Sequence, residues 1–172
     1  SCGPPFPSGS GKSGKKSPAR RPPRRTSRRS STRCVVLLVL DTNVVVSALL
    51  FNGPASLAHR AWVEGRIELI FTREILDEYR RVLSYPKFGL SEEDAAYLIE
   101  EEILPFGVTV SAPEATTSWI PEDSADDRFI EAAVAGNAAA LVSGDTHIFS
   151  RGKKLPCKVM TLSELTTILE NP

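Results

Sequence analysis

Residues 35–43 read Val-Val-Leu-Leu-Val-Leu-Asp-Thr-Asn. Six apolar residues without polar alternation suit a strand buried on both faces, as in a parallel sheet with helices on either side. The run stops on Asp41, which places a carboxylate at the C-terminal rim of the strand, where open α/β sheets bind their ligands. Asp41 also suits the cap of a following helix, and the sequence leaves both uses open.

The pattern repeats along the chain. Val44 to Leu50 reads as a short helix and Pro54 to Gly65 as a second, with Pro near its start and Gly past its end. Ile67 to Phe71 is the next strand, and Thr72 caps a helix through about Leu83 that Pro86 closes off. Ser91-Glu92-Glu93-Asp94 opens a helix reaching about Leu104, with Asp94 in the place that a capping box usually gives to Glu. A short peripheral strand at 107–110 follows. After a loop carrying Trp119 and Pro121, the sequence predicts a helix from Asp126 to Ala135 closed by Gly136-Asn137, strands at 140–143 and 159–160, and a terminal helix from Leu162 to Leu169. Strands separated by helices imply an α/β fold with a parallel sheet covered on both faces.

Charge divides the chain near Arg33. Residues 1–33 hold ten Lys and Arg and no acid, which leaves 11 basic residues against all 21 acids for residues 34–172. The first segment has six prolines, four glycines and one aromatic residue, too little apolar surface to offset chain entropy, and is expected to be a disordered basic tail. Arg20, Arg21, Arg24, Arg25, Arg28 and Arg29 give it the character of a nucleic-acid-binding arm, with a merely solvated arm as the plainer reading. Gly11-Lys12-Ser13 is not the end of a phosphate-binding loop, because Phe6 stands where the leading Gly belongs and no strand precedes it. Residues 34–172 suit one domain.

Several classes drop out. No apolar run approaches the length of a membrane span. Cys2, Cys34 and Cys157 have neither zinc spacing nor an even count, which points to a reducing cytoplasm. A dinucleotide site would need a Gly-rich turn after the first strand, and a haloacid-dehalogenase-like phosphatase an acid where Asn43 stands.

Three further acids fall at matching places. On the helix from Thr72, Ile75, Leu76, Tyr79, Val82 and Leu83 form the apolar stripe; Glu78 lies at its edge, whereas Glu74, Asp77 and Arg81 point away. On the helix from Asp126, Phe129, Ile130, Ala133 and Val134 point inward, Asp127 sits at the edge and Glu131 outward. Asp145 follows a strand, on the same rim as Asp41. Each alone has a bland reading as a cap, a turn residue or a solvated helix acid. Gathered at one rim, they repel: two like charges about 4 Å apart cost roughly 4 kcal/mol at an effective dielectric near 20. A divalent cation reverses that sign, and an all-oxygen donor set selects Mg²⁺ or Mn²⁺ over zinc. The chemistry that fits is hydrolysis of a phosphodiester backbone.

The quartet in its context, Val-Leu-Asp-Thr-Asn, Glu78 in Ile-Leu-Asp-Glu-Tyr, Asp127 in Asp-Asp-Arg-Phe-Ile-Glu-Ala-Ala and Asp145 in Leu-Val-Ser-Gly-Asp, resembles a PIN domain over residues 35–169. It is most similar to the VapC ribonucleases of toxin–antitoxin pairs. The resemblance implies a Rossmann-like three-layer fold with about five parallel strands, Mg²⁺ or Mn²⁺ dependence, and endonucleolytic cutting of RNA. It also implies a homodimer and a cognate antitoxin that blocks the acidic pocket. By position, Asp41 and Asp127 match direct metal ligands, and Glu78 and Asp145 groups that orient water or hold a second ion. Ser143 matches the small hydroxyl residue before the last acid, and Thr42 or Asn43 the polar neighbour of the first. Where many relatives carry a further acid, this chain has His147, expected on an exposed loop. The rival reading is a non-catalytic PIN-like module that binds RNA or protein.

Overall fold

The computed structural model describes residues 35–112, 119, 126–151 and 154–171. The basic tail with its arginines, Cys2 and Cys34, and the loop around Pro121 lie outside the described residues.

Five parallel strands form one sheet: β1 (Val36–Leu40), β2 (Ile67–Phe71), β3 (Gly107–Thr109), β4 (Ala140–Val142) and β5 (Val159–Met160), in the order β3-β2-β1-β4-β5. The expected α/β architecture is therefore present, and the opening apolar run is its central strand. Leu38, Val39 and Leu40 are buried because neighbours pair on both edges and helices cover both faces. Around them lie α1 (Thr42–Leu50), α2 (Pro54–Val63), α3 (Arg73–Leu83), α4 (Glu92–Tyr97), α5 (Asp127–Ala135), α6 (Thr146–Arg151) and α7 (Leu162–Glu170). From β1 to β3 the chain steps outward one way, and from β3 it returns across β1 to β4 and β5. Right-handed crossovers then put α1 to α4 on one face and α5 on the other, while α7, which follows the last strand, packs on α2. The direction reverses between β1 and β4, which opens a crevice at their C-terminal ends.

Local signals act as the residue types dictate. The Thr72 hydroxyl accepts from the Ile75 N–H at 3.3 Å to start α3. Ser91 and Asp94 complete a capping box for α4, so the shorter acid does serve in the fourth place. Thr161 and Glu164 form another at α7, one that the sequence reading passed over. Gly65 follows α2 with φ 73 and Asn137 follows α5 with φ 50, the left-handed turns that Gly and Asn tolerate. Gly136 serves a different need: a Cβ there would stand 2.6 Å from Ile70 Cγ2, so its absence lets α5 close onto β2.

Two expectations are corrected. The helix predicted to run to about Leu104 is α-helical only through Tyr97; Leu98–Ile103 is a π-helix and Leu104–Phe106 a 3₁₀ turn. Pro105 has no N–H to continue the ladder, and Trp62 Nε1 takes the Glu102 carbonyl at 3.0 Å. Secondly, residues 146–151 form a helix, so His147 lies in the first turn of α6, although exposed as expected. Asp126, where the sequence starts the next helix, precedes α5 in helical geometry and makes no side-chain capping bond.

Candidate active site

Asp41 ends β1 at the crevice and is only 5% exposed. Its two carboxylate oxygens are fixed separately. Oδ1 accepts the Val44 N–H at 2.9 Å and so caps α1. Oδ2 accepts the Ser143 hydroxyl through a short bond and the Gly144 N–H at 3.2 Å, both from the segment that leaves β4. The capping use is thus realised by Oδ1, while Oδ2 ties the ends of β1 and β4 together at the crevice. Charge-assisted bonds of this kind are the stronger ones, and three of them set the carboxylate plane.

Ser143 is fully buried and turns the second strand end toward the first. Besides donating to Asp41, its hydroxyl accepts the Asp145 N–H at 3.0 Å. Asp145 in turn receives the His147 N–H on Oδ1 at 2.6 Å, an Asx-type turn that begins α6. Ser143 therefore links the first and last acids of the quartet.

Glu78 is reached from the other side. The Thr42 hydroxyl donates to its Oε1 at 2.7 Å, and Arg128 Nη1 meets its Oε2 at 2.5 Å. Arg128 directly follows Asp127, a buried residue of the first turn of α5. The chain Asp41–Thr42–Glu78–Arg128–Asp127 thus runs along one edge of the crevice, two polar links flanked by two peptide-bonded pairs. Asn43, although beside Thr42 in sequence, is exposed and faces away from this chain of contacts.

All four acids stand at one rim, but no three of them converge. Among the described residues no group of three or more His, Cys, Asp or Glu side chains is placed to hold a metal ion. Glu78 is turned toward Arg128 and Asp145 toward its own helix start. The donor set nevertheless fits a hard cation in kind: every candidate is a carboxylate oxygen, and Asp41 and Asp127 are buried.

The field of these acids reaches their neighbours. Burial, and then the charge of Asp127, raises the Glu131 carboxyl above its usual range, with Arg128 partly offsetting this. Glu131 was expected to face outward; it is half-buried instead. Glu74 moves the other way, lowered by backbone and Thr72 hydrogen bonds and more weakly by Arg73 and Arg128.

Beneath the site the Tyr79 hydroxyl donates to the Leu40 carbonyl at 2.5 Å. Burial, followed by the charges of Asp41 and Glu78, pushes its pKa well above the ordinary 10.0. A phenol raised in this way contributes stability that is complete below its unfolded pKa and lost as pH rises beyond it. Alkaline unfolding should therefore steepen above about pH 10, and Tyr79→Phe should flatten that limb while costing about 1 kcal/mol at neutral pH for the bond left unmade. Denaturation at pH 8 and pH 11 measures both; an unchanged alkaline limb would exonerate Tyr79.

Arg128 is the site residue that sequence reasoning missed. A signal was present, a lone cation among the acids of Asp-Asp-Arg-Phe-Ile-Glu, but its partner lies fifty residues earlier, on α3.

No curated protein matches the chain. Among solved structures, it is similar to VapBC2 from Rickettsia felis bound to a DNA fragment from their promoter, at 16% identity and TM-score 0.52, covering 73% of this chain and 98% of that one. FitAcB from Neisseria gonorrhoeae aligns at 17% identity and TM-score 0.48, over 73% and 98% of the two chains. At 16% identity the likeness to the first is one of fold. The sequence itself matches the PIN domain family over residues 37–147, a span that holds all four acids of the rim and well over half of the chain, and the protein belongs to that family.

Proposed function

We propose that the protein is a Mg²⁺- or Mn²⁺-dependent endoribonuclease that hydrolyses RNA phosphodiester bonds at this rim. The observation that carries the reading is the tie between Asp41 at the end of β1 and Ser143-Gly144 at the end of β4, at the reversal point of a PIN-family sheet.

A divalent ion bound there would polarise the phosphate and acidify an attacking water. Asp41 and Asp127 are the carboxylates we assign to it, with Glu78 and Asp145 orienting water. The protein's own part is preorganisation. Val44, Ser143 and Gly144 fix the plane of Asp41 before any ligand arrives, and Thr42 holds one oxygen of Glu78. Arg128 balances the charge of Glu78, so a cation entering the rim competes with it. His147 supports the site through its N–H to Asp145; among the described residues Asn43 makes no such contact.

The test uses the full chain with labelled single-stranded RNA in Mg²⁺, Mn²⁺ or EDTA. Cleavage confined to the divalent ions is expected. Cutting that survives chelation would rule out this mechanism.

Arg128→Ala supplies an independent reading. It should cost about 1 kcal/mol in EDTA, a figure kept low because the Arg128 side chain is 33% exposed. Mn²⁺ should then raise the melting temperature of the variant more than that of the wild type. Equal shifts in the two proteins would remove Arg128 from the competition.

We extend the proposal to the toxin of a toxin–antitoxin pair, acting as a homodimer, with the six arginines from Arg20 to Arg29 in a basic tail that attracts RNA to an acidic domain.

A further inference from the structure

An apolar groove of about 700 Å³ begins at the rim of the site. One wall is a single face of α1, with Asn43, Val46, Ser47 and Leu50 at helical i, i+3, i+4 and i+7 spacing. Facing it is the 3₁₀ turn Pro86–Phe88, which follows α3. Asn43 lies in the first turn of α1, the helix that Asp41 caps, so the near end of the groove adjoins the candidate active site.

The lining has two unusual features. Its aromatic residues are accessible: Phe51 is 54% exposed and makes an edge-to-face pair with Phe88 at 6.3 Å between centroids, and Tyr85 beside the turn is 38% exposed. Its only charged residue is a cation. Lys87 Nζ stands 4.8 Å from the Phe88 ring centroid and 5.9 Å from that of Tyr85. Residues 34–172 carry 21 acids against 11 basic residues, so a groove without one acid, entered beside a rim crowded with them, is a local inversion of charge. Aromatic faces with a cation among them are how proteins hold single-stranded nucleic acid: bases stack on rings, and the ammonium takes a phosphate.

We propose that this groove holds an unpaired nucleotide flanking the scissile phosphate, with its base against Phe51 and Phe88 and its phosphate on Lys87. The inference rests on the nuclease reading for its register, since it places the neighbouring phosphate at Asp41. It makes the substrate single-stranded at the cut, because a paired base cannot turn into the groove.

The test measures fluorescence anisotropy of a labelled 12-nucleotide RNA with the full chain in EDTA, where no cleavage intervenes. A second RNA has abasic residues at its central positions. Both carry the same backbone charge, so attraction by the basic tail cancels in the comparison. Wild type should bind the abasic strand about tenfold more weakly, and Phe51→Ala should abolish that difference. Lys87→Gln should keep the difference but lower the salt dependence by roughly 0.7 in the log–log slope, one phosphate contact on a single strand.

Equal affinity of wild type for both strands would overturn the proposal. So would a base preference undiminished in Phe51→Ala, or a change of oligomeric state in that variant with RNA binding intact, which would make the groove an interface between protein chains. A wild-type base preference lost in Phe51→Ala, in a protein that never cleaves RNA with Mn²⁺, would uphold the groove and defeat the nuclease reading.

Discussion

Asp41→Asn should lower RNA cleavage by at least about a hundredfold and also destabilise the fold by about 1–3 kcal/mol. The first effect follows from removing the carboxylate most firmly fixed at the crevice. The second follows from hydrogen-bond inventory. Every partner of Asp41 is a donor: the N–H groups of Val44 and Gly144 and the Ser143 hydroxyl. An amide has one acceptor oxygen and one NH₂. If the oxygen keeps the α1 cap, the NH₂ faces the Ser143 hydroxyl and the Gly144 N–H, and that N–H loses its acceptor. Ser143 can rotate its hydroxyl to accept, but Gly144 has no such freedom. Single-turnover cleavage with Mn²⁺ and urea denaturation in EDTA separate the two effects. Full activity in the variant would end the metal-site reading, and unchanged stability would end the hydrogen-bond account.

Trp62→Ala should cost about 3–5 kcal/mol, a large share of the stability of a domain this size. Trp62 is fully buried between α2 and the π-helical segment, its ring edge-to-face with His59 at 5.0 Å and its Nε1 on the Glu102 carbonyl. His59 also meets the Glu102 side chain at 2.9 Å, so two side chains of α2 grip one residue of the wide turn. Trp62→Phe keeps much of the volume but leaves the Glu102 carbonyl without that donor, for a loss of about 1–3 kcal/mol. Equilibrium unfolding of both variants checks the ordering. A smaller loss in Phe than in Ala supports it; equal losses would place the whole effect in the hydrogen bond.

The central strand, the two helix caps at Asp41 and Thr72 and most of the inward face of α5 were legible because each rests on residues close in sequence; Val134, expected to face inward, is 52% exposed near the end of the helix. Hydrophobic period and capping chemistry act within a few positions, and the structure repeats them nearly residue for residue. The phase of α3 also separated Glu78 from Glu74 and Asp77 correctly, since stripe edges and exposed faces differ by simple rotation. What escaped depends on distant partners. The π-helix comes from a Trp–carbonyl bond spanning forty residues, the Arg128–Glu78 pair from one spanning fifty. Residues 146–151 lack a strong apolar stripe, and their helix starts from a turn that Asp145 and His147 make together. Four acids at one rim could be anticipated, but their orientation could not: the sequence carries the charges, whereas the ion pair and the turn decide where each carboxylate points.

Asp41 holds α1 with one oxygen and the β1–β4 junction with the other, and this has a bearing on descent. A related chain that had abandoned its chemistry would still be held to Asp at this place by the integrity of α1 and of the β1–β4 junction. Retention of that residue across homologues is thus a record of architecture as much as of activity. The more telling comparison is Glu78 with Arg128, an ion pair that two apolar side chains could replace in concert without touching the β1–β4 junction that Asp41 holds.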